Sequence, residues 1–170
     1  TNIPENPEEY RLITENLYGG DSHTRIRQEI VLGIGGLRVL KTLGIRPTVF
    51  HMNEGHAAFL ALERIRDLME EEKLSFAEAW EATRESNVFT THTCVPAGID
   101  LFDGTLVWEY LEEFCRLGGI SIEQLFSVGR KNAMDPNEKF SMAVAAMNLS
   151  AFRNAVSELH RLVSQDMWNG

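Results

Sequence analysis

Behind Asp21 and Ser22, both good N-cap residues, Ile26, Ile30, Ile34, Leu37 and Leu40 recur at three- and four-residue steps. The spacing predicts one helix of about five turns that stops at Gly44. Gly33, Gly35 and Gly36 fall inside it, where each costs up to about 1 kcal/mol relative to Ala, so the helix is expected to press close to a neighbouring backbone. Pro47-Thr48-Val49-Phe50-His51 is short, β-branched and aromatic, and bounded by turn formers, as a buried parallel strand is. Phe59, Leu62, Ile65 and Met69 return at helical spacing and close on Glu70-Glu71-Glu72, a solvated end whose charges oppose the macrodipole. Ser75-Phe76-Ala77-Glu78 reads as a capping box that opens a third helix to about Ser86, and Asn87 to Thr91 reads as a second strand.

Beyond it, Pro96-Ala97-Gly98 marks a loop, and Leu106 to Leu117 carries Leu106, Tyr110, Leu111 and Phe114 on one helical face before Gly118-Gly119 stops it. Ser121-Ile122-Glu123-Gln124 caps a short helix through Phe126, and Gly129 to Lys139 is polar and exposed. Phe140 to Met147 fits either period; we read it as a strand segment leading into a helix from Ser150 to about Met167. Strands separated by helical crossovers imply an α/β fold with a parallel sheet and right-handed connections. No internal repeat or low-complexity segment is present.

Composition narrows the function. At 170 residues and 44% hydrophobic content, the chain makes one domain or a large piece of one. A formal net charge of -9 argues against a nucleic-acid surface, since Arg25 and Arg27 stand near Asp21 and Glu29, and Arg64 and Arg66 near Glu63 and Asp67. Cys94 and Cys115 are too few for a disulfide framework or a structural zinc site and fit a reducing, cytoplasmic setting. No run approaches the ~20 apolar residues of a membrane span, and the first residues lack the regions of a signal peptide. The polar opening Asn2 to Glu9 reads like a connection entered partway, so a fragment is expected.

Two polar runs carry the candidate chemistry. His51-Met52-Asn53-Glu54-Gly55-His56 and Thr90-Thr91-His92-Thr93 each follow a predicted strand, and the carboxyl ends of parallel strands are where an open α/β sheet binds ligands. Histidine, carboxylate, amide and hydroxyl groups there suit a sugar crevice, with Glu54 orienting His56 and Asn53 both donating and accepting. The blander reading, in which Asn53 and Glu54 merely cap the next helix, stays open. Two histidines five apart with Glu54 between them fail the helical zinc-protease spacing, so no metal is expected. Cys94 beside His92 lacks an oxyanion arrangement, and Gly33 to Gly36 lacks the Lys and Ser or Thr of a phosphate loop. His23 and His160 are given no catalytic role, and Trp80, Trp108 and Trp168 read as packing rather than sugar platforms.

Several motifs, in order, then carry a resemblance. Leu17-Tyr18-Gly19-Gly20-Asp21, Arg25 to Glu29, Leu32 to Gly36, His51 to Phe59, Val88 to Thr93 with Val95 to Gly98, Leu149-Ser150, and Asn154 to Ser157 with Leu159-His160 closely resemble the bacterial α-glucan (glycogen or maltodextrin) phosphorylases. The resemblance implies a partial Rossmann-like parallel sheet with flanking helices, from the N-terminal half of a two-Rossmann-domain glycosyltransferase. It implies a lead-in connection over 1–20, strand-helix units over 21–150 and a helix leading out over 151–170. The implied reaction releases glucose 1-phosphate from α-1,4-glucan with inorganic phosphate, with pyridoxal phosphate as cofactor on a Lys of the missing C-terminal half, so the fragment alone would be inactive. Residue by residue, His92 matches the histidine that hydrogen-bonds the glucosyl group at the reaction centre; Glu54 and His56 match the acidic residue and histidine that shape the sugar pocket, and Asn53 aligns beside them. Cofactor-binding and metal residues are not expected here, and a homo-oligomer is compatible with the resemblance.

Three positions depart from that pattern: Cys94 where Pro is usual, Ile99 where a polar residue is common, and Ala155 for a usual Gly. They would loosen the loop carrying His92 and disturb a tight helix start at Ala155. A non-catalytic carbohydrate-binding or partner-binding module derived from such an enzyme is the competing reading, and a glucan synthase-type glycosyltransferase using a nucleotide sugar is the third.

Overall fold

The computed structural model describes residues 1–16, 20–93, 95 and 98–168. A short helix α1 (Glu8–Arg11) precedes α2 (Ser22–Ile30), whose first turn is closed by Asp21 accepting from the Thr24 N–H at 2.9 Å. The predicted single helix is interrupted there: Val31–Gly35 forms a π turn before α3 (Gly36–Thr42) resumes, and the chain leaves through Gly44 at φ +71°. Gly33 accounts for the close approach, because a Cβ there would stand 2.6 Å from the Leu60 backbone nitrogen. Gly35 and Gly36 meet no such neighbour.

β1 (Phe50–Asn53) begins three residues later than the sequence suggested. Pro47 has no N–H to give a ladder, and the first pairing bond comes from the Phe50 N–H to the Ser86 carbonyl at 2.9 Å. A 3₁₀ turn (Gly55–Ala57) leads into α4 (Phe59–Glu71), and the Ser75–Glu78 capping box opens α5 (Phe76–Arg84) as read. β2 (Asn87–Thr91) matches its predicted bounds. After the two-residue β3 (Leu101–Phe102) come α6 (Gly104–Gly118) and α7 (Ile122–Gly129), separated by Gly119 at φ +67° and the Ser121–Gln124 capping box. β4 (Phe140–Ser141) pairs antiparallel with β3.

The last third departs most from the reading. Met142–Asn148 is a helix, α8, started by Ser141 Oγ accepting from the Val144 N–H at 3.3 Å. It is apolar nearly all round because it is enclosed nearly all round, so its periodicity was silent. The helix expected from Ser150 begins only at Glu158 as α9 (Glu158–Trp168); before it runs the strand β5 (Phe152–Ala155). β5 is a sheet edge with Phe152 60% exposed, so it lacks the alternation that marks a half-buried strand. Ala155 ends this strand opposite Thr91 rather than starting a helix, so the expected disturbance of a helix start does not arise.

The sheet is parallel, in the order β1-β2-β5. Its core joins Met52 and Phe89 from the strands to Phe59, Leu62 and Ile65 of α4 and to Leu111, Leu125 and Phe140, all buried. Phe59 and Phe140 stack with centroids 6.2 Å apart, which ties the first crossover to the second. Trp80 sits edge-on to Phe76 and donates to the Asn148 carbonyl at 3.2 Å, and Trp108 packs against the core, both as expected of packing residues. Among the described residues no helix is long and apolar enough to cross a membrane.

Candidate functional site

The parallel pairing of β1 and β2 sets Asn53 beside Thr90 and brings the two polar runs out at the same sheet edge. Immediately past β1, Glu54 adopts φ 65° and ψ 177°, a conformation that costs a non-glycine residue on the order of 1–3 kcal/mol. Two sets of contacts hold it there. Its N–H continues the ladder to the Thr90 carbonyl at 2.9 Å, and Oε1 accepts from the backbone N–H of His92 and from that of Thr93 at 2.5 Å. The Thr91 hydroxyl adds a longer contact at 3.4 Å. One carboxylate oxygen thus gathers the segment just after β2, and His92 and Asn53 are both exposed. Charge-assisted bonds of this kind are about twice as strong as neutral ones.

Gly55 fixes where this edge lies. A Cβ on it would meet the Ala143 nitrogen and the Met142 carbonyl carbon at 2.7 Å, so the turn rests directly on the start of α8. His51 turns away to the body of the sheet, its Nε2 2.6 Å from the Thr90 hydroxyl.

Glu54 does not orient His56, contrary to the sequence reading. Its carboxylate is committed to the backbone of residues 92 and 93, and His56 Nδ1 lies 3.0 Å from Asp100 Oδ2. Arg25 donates to the same Asp100 oxygen at 2.8 Å and to Glu29 at 3.2 Å, while His56 Nδ1 is 3.7 Å from Glu29. These four groups bring together α2, the 3₁₀ turn and the segment following His92. Glu29 is 1% exposed, and burial raises its carboxyl to about 8, with His56 opposing that rise. The bond to Asp100 and the nearby Glu29 raise His56 to about 9. Burial alone would raise Asp100, yet bonds from His56 and Arg25 hold it well below the usual carboxylate range. Three of the four offer ligand atoms within 4.8 Å of one another, but Arg25 already places a cation between Glu29 and Asp100.

Asp100, Arg25 and Glu29 were missed as site residues. Glu29 carried a signal, because it stands three residues after Ile26 on the apolar face of its helix, where an unpaired glutamate does not belong. Asp100 carried none. Its partners come from residues 44 and 75 positions away. Cys94, Pro96 and Ala97 lie outside the described residues, while Ile99 is half-buried.

Pyridoxal phosphate, which the resemblance implies, is not served by this edge. Lys41 is held by Asp67 and Glu71, Lys73 by the Glu70 carbonyl and Lys139 by Asp103, and Lys131 follows α7 in a separate cavity. None of the four lysines of the chain stands with Glu54 and His92.

The family model for carbohydrate phosphorylases matches residues 40–166. The chain belongs to the carbohydrate phosphorylase family. It is 43% identical to a glycogen phosphorylase of Mycobacterium tuberculosis over 99% of its own length and 20% of that protein's. Similarity to a maltodextrin phosphorylase of Thermococcus litoralis is 42%, over 99% of the chain and 19% of the relative, and to a glycogen phosphorylase of Aquifex aeolicus 34%, over 99% and 24%. This phosphorylase-family chain therefore spans about one fifth of the length of the first two relatives.

Proposed function

We propose that the chain is the glucosyl-holding part of an α-1,4-glucan phosphorylase that releases glucose 1-phosphate from glycogen or maltodextrin with inorganic phosphate. The observation that carries this reading is the Glu54 carboxylate seated on the His92 and Thr93 amides at the carboxyl edge of parallel strands, with His92 and Asn53 both exposed there. In this reading His92 is the catalytic residue: its ring and the Asn53 amide hold sugar hydroxyls at the reacting unit. Glu54 shapes the pocket by aiming the backbone that carries His92. His56, fixed by Asp100 and Arg25, forms the wall behind Glu54.

The work done by this edge is positioning. Hydroxyls held at fixed distances lower the entropic cost of reaching the transition state, and dipoles set beforehand favour positive charge growing at the anomeric carbon. Phosphate, the cofactor chemistry and a second Rossmann-like half belong to the remainder of the intact enzyme, in a cytoplasmic setting. Incubating the intact protein with maltodextrin and inorganic phosphate tests the reading. Glucose 1-phosphate should form and His92→Ala should lower its rate about 100-fold or more. Maltodextrin binding without any product would favour the non-catalytic module, and product made only from a nucleotide sugar would favour the synthase.

A further inference from the structure

The stretch from Gly129 to Lys139, polar and exposed by its sequence, in fact turns its first arginine inward. Arg130 is 6% exposed, and its Nε is buried without a hydrogen-bond partner. The contacts its guanidinium does make are with neutral groups. It rests on the Phe126 ring at 3.9 Å, and one Nη reaches the Ala133 carbonyl at 3.5 Å, the long limit of a hydrogen bond. Breaking a buried ion pair is costly because it leaves a charge without its counter-charge, and Arg130 stands in that condition among the described residues.

The same guanidinium abuts the start of α6. A Cβ on Gly104, the first residue of that 15-residue helix, would run into Arg130 Nη2, so the arginine fits only because glycine stands there. Asp103, at the N-cap, makes no side-chain cap; its carboxylate lies 3.4 Å from Lys139 instead. The free amides of a helix N-terminus carry partial positive charge, so a buried cation and a second positive end meet at one place.

That place is a pocket of about 350 Å³ bounded by α6, α7 and the turn after α7. Trp108, Ile122, Phe126, Met134 and Pro136 give it apolar walls. The acid among its lining residues, Glu123, is exposed and accepts from the Ser121 hydroxyl at 2.8 Å. Arg130 also borders the cavity lined by Arg84, Lys131 and Arg153, where basic side chains outnumber the acid Glu81. Buried donors without acceptors are rare in folded proteins, and this one calls for an anion.

We propose that the pocket between α6 and α7 binds a small carboxylate with an apolar body. Its carboxylate accepts from the Arg130 guanidinium and the first amides of α6, and its body lies against Trp108 and Met134. A carboxylate matches the planar fork of arginine, and a helix N-terminus favours the same charge. The apolar walls select against a bare inorganic anion, which would shed its water there and gain few contacts. The volume is within the range of small-molecule sites. Asn53, Glu54, His56 and His92 do not line this pocket, so its ligand is held apart from the sugar edge.

Calorimetric titration of the intact protein with phenylacetate, and with phenylacetamide as its uncharged counterpart, tests the proposal. Phenylacetate should bind about tenfold or more tightly than the amide, with unchanged affinity in His92→Ala. Arg130→Gln should abolish that preference. Should this buried substitution fail to fold, Met134→Glu, at an exposed wall of the pocket, should weaken phenylacetate binding a few-fold or more by placing a like charge at the mouth. No binding at millimolar phenylacetate, equal affinity for acid and amide, binding untouched by either substitution, or an acidic side chain of the longer protein seated on Arg130 would each overturn it.

Discussion

Glu54 and His56 are two residues apart, yet they belong to two different assemblies. Glu54 spends its charge on backbone amides at an exposed edge, whereas His56 joins Asp100, Arg25 and the buried Glu29 in a cluster of titratable side chains. Both reach the segment after β2, the first at residues 92 and 93 and the second at residue 100. The contrast teaches that one short turn can hold a loop at two points by different physics. Amide bonds to Glu54 set direction at a strand end, and the ion set around Asp100 ties the far end of the loop to α2.

Removing the carboxylate at the edge should have the largest effect. Glu54→Ala leaves the His92 and Thr93 amides without their acceptor and should lower glucose 1-phosphate release by the intact protein about 100-fold, while the thermal midpoint falls only a few degrees. A fall in stability without loss of rate would mean that Glu54 is only a turn residue.

Asp100→Asn should show the opposite emphasis. It removes the anion that His56 and Arg25 share, leaves two cations beside each other, and should cost about 2 kcal/mol of stability in denaturant titration with a smaller effect on rate. Unchanged stability would show that Arg25 and His56 find other partners.

The pH dependence should separate the two assemblies further. Glu29 and His56 both bind protons more tightly in the folded protein, so their stabilisation is complete at low pH. It begins to drain above the ordinary values of 4.5 and 6.5 and is lost through about 8 and 9 respectively. Asp100 is shifted the other way, so its stabilisation is present above its ordinary 3.8 and is lost as pH falls. Stability should therefore decline from about pH 4.5, where Glu29 begins to contribute, to about pH 9, and His56→Gln should remove the part of that decline that sets in above about pH 6.5, on the order of 2 kcal/mol after solvent screening. A slope unaffected by His56→Gln would place the titration elsewhere.

The smallest effect is expected from Glu29→Gln. Burial already keeps that carboxyl largely protonated at neutral pH, so an amide of the same shape should change stability by less than about 1 kcal/mol at pH 7. A loss as large as that of Asp100→Asn would mean that Glu29 is ionised and paired with Arg25.

What the sequence revealed tracks how local each feature is. Capping boxes at Ser75 and Ser121 and the strand Asn87 to Thr91 were legible because their signals lie within a few residues. The opening of both polar runs onto one edge was legible too, through the parallel pairing that helical crossovers impose. β5 was not, since an edge strand shows no alternation, and α8 was misread because an enclosed helix and a buried strand are equally apolar. Within the site, Glu54 was named but given the wrong bond. The link from Oε1 to the residue 92 amide and the link from His56 to Asp100 depend on how two loops meet across the sheet edge, which no spacing encodes.

The claim that Glu54 acts through His92 is tested most directly by a double-mutant comparison of glucose 1-phosphate release in the intact protein. If Glu54 only aims the turn that carries His92, Glu54→Ala/His92→Ala should be no slower than His92→Ala alone. If the two losses multiply, Glu54 meets the sugar independently of His92, and the account of this edge is wrong.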